Sequence, residues 1–308
     1  MATAFIHHAD CVKHDMGGYH PESPGRYKSV EEYVEAAGLF GKVDIYDAPL
    51  ATDEQLLRAH PQSYVDMIRE SAPESGIVQL DPDTSMNPYS LNAALRAAGA
   101  GVMGIDLVME GKAQNVFCNV RPCGHHATRN RSMGFCIFNN IVVAAYHGVE
   151  VHKLDRVAIV DFDVHHGNGT EDIVSADERI FMCGTFQHPF YPYSGTEDPA
   201  HNMCNVPLPA GTGSEGFRKA SEEIWLPALE KFEPELILIS AGFDAHADDP
   251  LAQLRLTDDD YAWVTKKLMD IAARHSEGRI VSVLEGGYSL QALGRSVVRH
   301  VSALAGLE

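Results

Sequence analysis

The sequence predicts an α/β fold, a mainly parallel sheet with helices on both faces, in one catalytic-size domain spanning residues 1–308. Two observations predict it. From residue 115 onward, short apolar runs rich in β-branched residues alternate with longer stretches of helical spacing, the pattern of parallel strands joined by helical crossovers. The chemistry-bearing residues then fall just past the ends of those runs. In a parallel sheet such ends share one rim, where folds of this kind hold ligands. No linker, charge run or internal repeat marks a second domain.

Taken in order, Ser23-Pro24 reads as a helix start, with a capping hydroxyl and Pro at the first helical position; Val30, Tyr33, Val34 and Ala37 supply an apolar face. Residues 53–70 read as helical with a break at Pro61, and residues 81–88 as a turn-rich, acidic surface loop. An Ala/Gly-rich helix is expected over 90–110, closely packed through its small residues. Strands are expected at 115–120, 157–160, 180–184, 236–240 and 280–284. Helices are expected at 138–148, 171–175, 215–232, 258–274 and 290–304.

The composition is that of a protein able to bury a full core, with 45% hydrophobic and 22% charged residues. No apolar run reads as long enough to cross a bilayer, and Met-Ala-Thr-Ala-Phe-Ile-His-His lacks a basic-then-apolar export signal, so a cytoplasmic protein is expected. A net charge of −19 opposes direct nucleic-acid binding and suits cationic small molecules or basic peptides. Cysteines 11, 118, 123, 136, 183 and 204 form no CxxC pair, and reduced thiols are expected.

The central stretch is Val157-Ala-Ile-Val-Asp-Phe-Asp-Val-His-His-Gly-Asn-Gly. Asp161, Asp163 and His165 occupy every second position, which in an extended backbone points them the same way. Two carboxylates and an imidazole suit a divalent cation better than a core. Asp163, His165 and Asp244 make a three-ligand set that leaves a position open for water on zinc or a similar ion. The tandem His125-His126 offers a base and an acid near neutral pH. Tyr288, after Gly286-Gly287, offers a hydroxyl to an oxyanion. Asp161 and Asn168 are placed to orient the two histidines. Singly, each of these has a structural reading, as a cap, a turn or a polar strand end. Their shared rim favours a site that hydrolyses an amide or ester with metal-activated water.

Arg121-Pro-Cys-Gly-His-His-Ala, Met133-Gly-Phe-Cys, Val160-Asp-Phe-Asp-Val-His-His-Gly-Asn-Gly-Thr, Ser240-Ala-Gly-Phe-Asp-Ala-His and Leu284-Glu-Gly-Gly-Tyr resemble the signature blocks of the zinc-dependent histone deacetylase family. Asn168 and the opening His20-Pro-Glu-Ser-Pro-Gly-Arg26 resemble its class II branch and bacterial amidohydrolase relatives, acetylpolyamine amidohydrolases among them. The resemblance implies an arginase–deacetylase fold and removal of acetyl groups from amines. It implies Asp163, His165 and Asp244 as zinc ligands, His126 as general base, His125 as its partner, and Tyr288 as the group that polarises the acetyl carbonyl. It further implies Phe135 and Tyr191 as tunnel walls, Gly134 as a carbonyl offered to the substrate amide, and Arg26 as the lining of an acetate channel. A structural potassium ion near Asp161, Asp163, His165 and Thr185 is implied as well.

Acetyl-lysine peptides, acetylpolyamines and other small acylamides all suit such a site. Leu251 stands just after Pro250, where a carboxylate would favour polyamines, and this tilts the reading toward acetyl-lysine-like or short acyl substrates. Zinc against iron, and homo-oligomer against monomer, stay open. The rivals are a binuclear manganese ureohydrolase of arginase type and a non-catalytic acyl-ligand sensor. The first needs further bridging carboxylates, and the second sits poorly with two intact histidines and Tyr288.

Overall fold

The computed structural model describes residues 2–197 and 199–308. The chain opens with β1 (Thr3–His7), α1 (Pro24–Ala36), β2 (Asp44–Asp47), α2 (Asp53–Leu56) and α3 (Gln62–Glu70). A small hairpin, β3 (Val78–Asp81) and β4 (Thr84–Met86), precedes α4 (Ser90–Met109). Alternation then sets in with β5 (Asn115–Asn119), α5 (Asn140–Glu150), β6 (Val157–Asp161), α6 (Asn168–Val174), β7 (Ile180–Gln187) and β8 (Met203–Leu208). It continues through α7 (Ser214–Ala220), α8 (Leu226–Phe232), β9 (Leu236–Ala241), α9 (Asp258–His275), β10 (Ile280–Leu284) and α10 (Leu290–Leu304).

Eight strands form one sheet in the order β2-β1-β5-β10-β9-β6-β7-β8, and every neighbouring pair is parallel. The central strands are apolar without polar alternation because both faces are covered. Val157 and Ile159 join Leu236, Leu238, Val281 and Val283 in the core under α4 and α5. Ala158, Val160, Ile237, Ile239, Ile280 and Leu284 face the opposite core, closed by α1, α9, α10 and Trp225. Each of the Val, Leu and Ile side chains contributes roughly 1.5–3 kcal/mol by leaving water, so the middle of the sheet is the stable frame that carries the loops.

Several expectations are corrected. Residues 81–88 are not a surface loop: they span the hairpin, and Thr84, Ser85 and Met86 are buried. Asp81 is charge-paired with Arg131, and Asp83 is tied to the backbone of Gly134, so the acidic residues mark a built corner. The α4 helix is long and apolar enough, by length and composition, to cross a membrane, contrary to the reading of the sequence. It lies instead within the fold, 72% buried, where Gly99 passes the carbonyl of Pro49 and Gly104 passes Val281. Ser23 sits at the start of α1 but caps nothing with its hydroxyl. The segment 215–232 is two helices around a π turn at Ser221–Trp225, just ahead of Pro227, which has no N–H to continue the ladder. Strand β1 and the edge strands β2 and β8 are not among the expected ones; β2 is mostly exposed, and β8 carries Pro207, which only an edge accommodates readily.

Candidate active site

Four adjacent central strands, β5, β10, β9 and β6, each end in a loop that delivers functional groups to the same rim. They bring His125 and His126, Glu285 to Tyr288, Asp244, and Asp161 to His165 respectively. The parity argument for Asp161, Asp163 and His165 holds only in part. The strand ends at Asp161, whose carboxylate accepts from the N–H of Asp163 (3.0 Å); Asp163 repeats the turn by accepting from the N–H of His165 (2.9 Å). Two such turns send Asp163 and His165 to one spot and Asp161 to another.

At that spot, one donor atom each from Asp163, His165 and Asp244 lies within 4.8 Å of the others. His165 Nδ1 stands 3.0 Å from Asp163 Oδ1 and 3.2 Å from Asp244 Oδ2. The spare carboxylate oxygens are fixed from outside: Asp163 Oδ2 accepts from Gly286 N (2.8 Å), and Asp244 Oδ1 from Val164 N (3.0 Å). Asp244 Oδ2 is fully buried yet has no hydrogen bond. An orphaned carboxylate oxygen facing an imidazole nitrogen and a second carboxylate is what a bound divalent cation would satisfy. Glycine is required alongside, since a Cβ on Gly286 would meet Asp244 Oδ2 at 2.0 Å. The residues present therefore fit a metal ion.

The two histidines diverge electrostatically. His125 Nδ1 lies 2.9 Å from Asp161 Oδ2, whereas His126 Nδ1 lies 2.7 Å from the neutral Asn168 Oδ1. Burial works against a charged His125, but Asp161, Asp163 and Glu285 around it hold its pKa well above the usual value. Burial, with the neighbouring His125 and His165, pushes His126 well below it. Tyr288 is held as a phenol by burial, with its ring under the Arg26 guanidinium at 4.9 Å.

Above these groups opens a pocket of about 230 Å³ lined by His126, His165, Gly134, Phe135, Tyr191, Leu251 and Tyr288, as the sequence suggested, and also by Asp83 and Phe190. Phe190 stacks on His165 (5.3 Å between centroids), and Tyr191 meets His126 edge-on (5.3 Å). Gly134 and Phe135 both adopt positive φ, 58° and 69°, a conformation that costs a phenylalanine on the order of 1–3 kcal/mol. The hairpin holds that strain: Asp83 accepts from Gly134 N and Thr84 from Phe135 N, each at 2.9 Å. The carbonyl of Gly134 is already engaged by the Cys136 thiol at 3.3 Å.

Arg26 and Thr185 stand apart from both the pocket lining and the metal-donor cluster. Arg26 is fully buried against the Tyr288 ring, and its donors go to Glu22 and to the carbonyls of Glu285 and Gly287. It clamps the Tyr288 loop through those two carbonyls. Thr185 borders a separate small recess with Asp161, His165 and Asn205. The sequence reading missed Asp249, which accepts from the N–H groups of Tyr288 (2.7 Å), Ser289 and Leu251, and Glu285, which accepts from those of Gly124 (2.7 Å) and His125. Both act on backbone, and only their position beside motif residues signals them.

An eight-stranded parallel sheet with acid, base and metal donors on one rim defines a metal-assisted hydrolase scaffold. Residues 20–304 match the histone deacetylase domain family. A histone deacetylase-like amidohydrolase of Pseudomonas aeruginosa is 37% identical over 295 residues, covering 92% of this chain and 77% of its own. A probable deacetylase of Archaeoglobus fulgidus is 32% identical over 317 residues, covering 100% and 88%. Among solved structures, the HDA15 HD domain superposes with a TM-score of 0.94 at 32% identity, over 99% of this chain and 88% of its own. The chain belongs to the histone deacetylase family, a family of deacetylases and amidohydrolases that is generally metal-dependent, and it has the arginase–deacetylase fold.

Proposed function

We propose that the protein is a zinc-dependent deacetylase that cleaves acetyl or short acyl groups from amines, with acetyl-lysine side chains and acetylpolyamines as the substrate classes to compare. The observation that carries the reading is the convergence of Asp163, His165 and Asp244 at the floor of a pocket whose walls hold a neutral His126 and the phenol of Tyr288. Bound there, zinc supplies a Lewis acid that polarises an amide carbonyl and makes water nucleophilic near neutral pH.

His126, with its Nδ1–H donating to Asn168 Oδ1, presents an unprotonated Nε2 that accepts a proton from the attacking water. His125, protonated beside Asp161, stabilises the negative charge that develops, and the proton that His126 takes from water passes to the leaving amine. The Tyr288 hydroxyl donates to the carbonyl oxygen as it becomes an oxyanion. Phe135, Phe190, Tyr191 and Leu251 give a neutral acylated chain an apolar path and give the ammonium product a reason to leave. The free thiols suit a reducing compartment, and we place the protein in the cytoplasm.

The test is hydrolysis of an acetyl-lysine peptide, N-acetylputrescine and N-acetylspermidine, measured before and after chelation and after zinc is restored. Turnover that survives full metal removal rejects the mechanism. Turnover of none of the three substrates by the zinc-loaded protein rejects the substrate classes.

A further inference from the structure

A second group of metal-type donors lies on the far side of the sheet. Asp106, near the C-terminal end of α4, receives two imidazoles at once: His147 Nε2 from α5 and His152 Nε2 from the link after it, each 2.8 Å from the same oxygen, Oδ1. Helices that cross between parallel strands run antiparallel to them, so the C-terminal ends of α4 and α5 lie at the strand rim opposite the pocket. Nothing in the proposed chemistry uses these residues. Their placement is unusual for the elements that carry them: beyond its first turn, α4 is apolar apart from Arg96, which pairs with Asp10, and Asp106 itself. The carboxylate is half-exposed and the two rings are largely buried, so the donors are fixed by the fold and one side stays open to water.

We infer that Asp106, His147 and His152 form a second divalent-cation site, of zinc or nickel type, that ties the end of α4 to the segment following α5. Two imidazoles and a carboxylate with an open solvent position are a donor set such ions take. One donor atom from each of the three lies within 4.8 Å of the others.

One contact opposes the ion and gives the idea a sharp test. Arg58 donates from Nη1 to His147 Nδ1 at 2.9 Å, which places the ring proton on Nε2. Binding a cation through Nε2 requires that proton to move to Nδ1, and Arg58 must then turn away toward its other partner, Glu54. A carbonyl acceptor in place of the guanidinium would favour the ligating tautomer instead.

The experiment is equilibrium dialysis of the full chain against micromolar zinc, with bound metal counted by elemental mass spectrometry and thermal unfolding recorded in parallel. The unmodified protein should hold one equivalent more than His152→Ala and should show a larger zinc-dependent rise in Tm than the variant, while both keep the same deacetylase turnover. Arg58→Gln should bind the additional equivalent more tightly. The difference between the two proteins decides the matter, so an empty pocket near Asp163 would leave the result readable. Equal metal content in the unmodified protein and in His152→Ala, or an extra equivalent that persists in an Asp106→Asn, His152→Ala double variant, overturns the inference.

Discussion

His125 and His126 are adjacent in the chain, yet their surroundings push them to opposite protonation states: Asp161, Asp163 and Glu285 surround the first, whereas burial and the neighbouring His125 and His165 act on the second, whose Nδ1 meets only an amide oxygen. If His126 is the base, His126→Ala should lower turnover by roughly 10²–10⁴-fold, and Tyr288→Phe by roughly 10²–10³-fold, with bound metal unchanged in both. Near-normal rates in either variant would show the roles to be misassigned. Asp249→Ala should also lower kcat, since it frees the backbone of Tyr288 without touching the pocket floor, and Asp249→Asn should restore part of the loss. At this scale the sequence revealed the groups that are chemically out of place, such as Asp163, His165 and Asp244 past apolar strands. It concealed Asp249, Glu285 and Asp83, whose task is to accept backbone N–H groups, because a pattern of side chains does not say where a loop's amides will lie.

Elements were legible where an apolar run repeats in alternation with helices, as in the central strands; β2 and β8 lie at the sheet edges, where fewer contacts constrain composition, and β1, although buried, precedes the alternating pattern. The hairpin β3–β4 was hidden by its turn-like residues, Asp81-Pro82-Asp83, although Thr84 beside them is buried and braces Phe135. In α4 the glycines are spacing elements. Ala is a better helix former than Gly by about 1 kcal/mol, yet Gly99→Ala should destabilise the protein, because the new Cβ would lie 2.1 Å from the Pro49 carbonyl oxygen. A net loss of about 1–3 kcal/mol is expected in urea unfolding. Unchanged or increased stability would mean that the segment around Pro49 yields easily.

Across the whole molecule, acid sensitivity has identifiable sources away from the pocket. His60 is wedged as a neutral ring between the Arg129 carbonyl and the Asn139 N–H, and burial pushes its pKa down to about 4 from 6.5. His300, buried between Thr265 and Ser282, is pushed to about 3. A folded-state pKa below the unfolded value means that the unfolded chain binds more protons in acid. This contribution is whole above about pH 6.5 and is lost progressively as the pH falls toward 4, up to roughly 3 kcal/mol for His60 alone. Denaturant titrations between pH 7 and 4.5 should show that decline, and His60→Gln should flatten it; parallel slopes in the two proteins would place the sensitivity elsewhere.

The strand order has a consequence for synthesis. The last strand in the chain, β10, lies in the middle of the sheet, between β5 and β9. Until residues 280–284 leave the ribosome, the nascent polypeptide holds two half-sheets with bare inner margins, and a premature stop anywhere before them should yield sticky fragments rather than a smaller working enzyme.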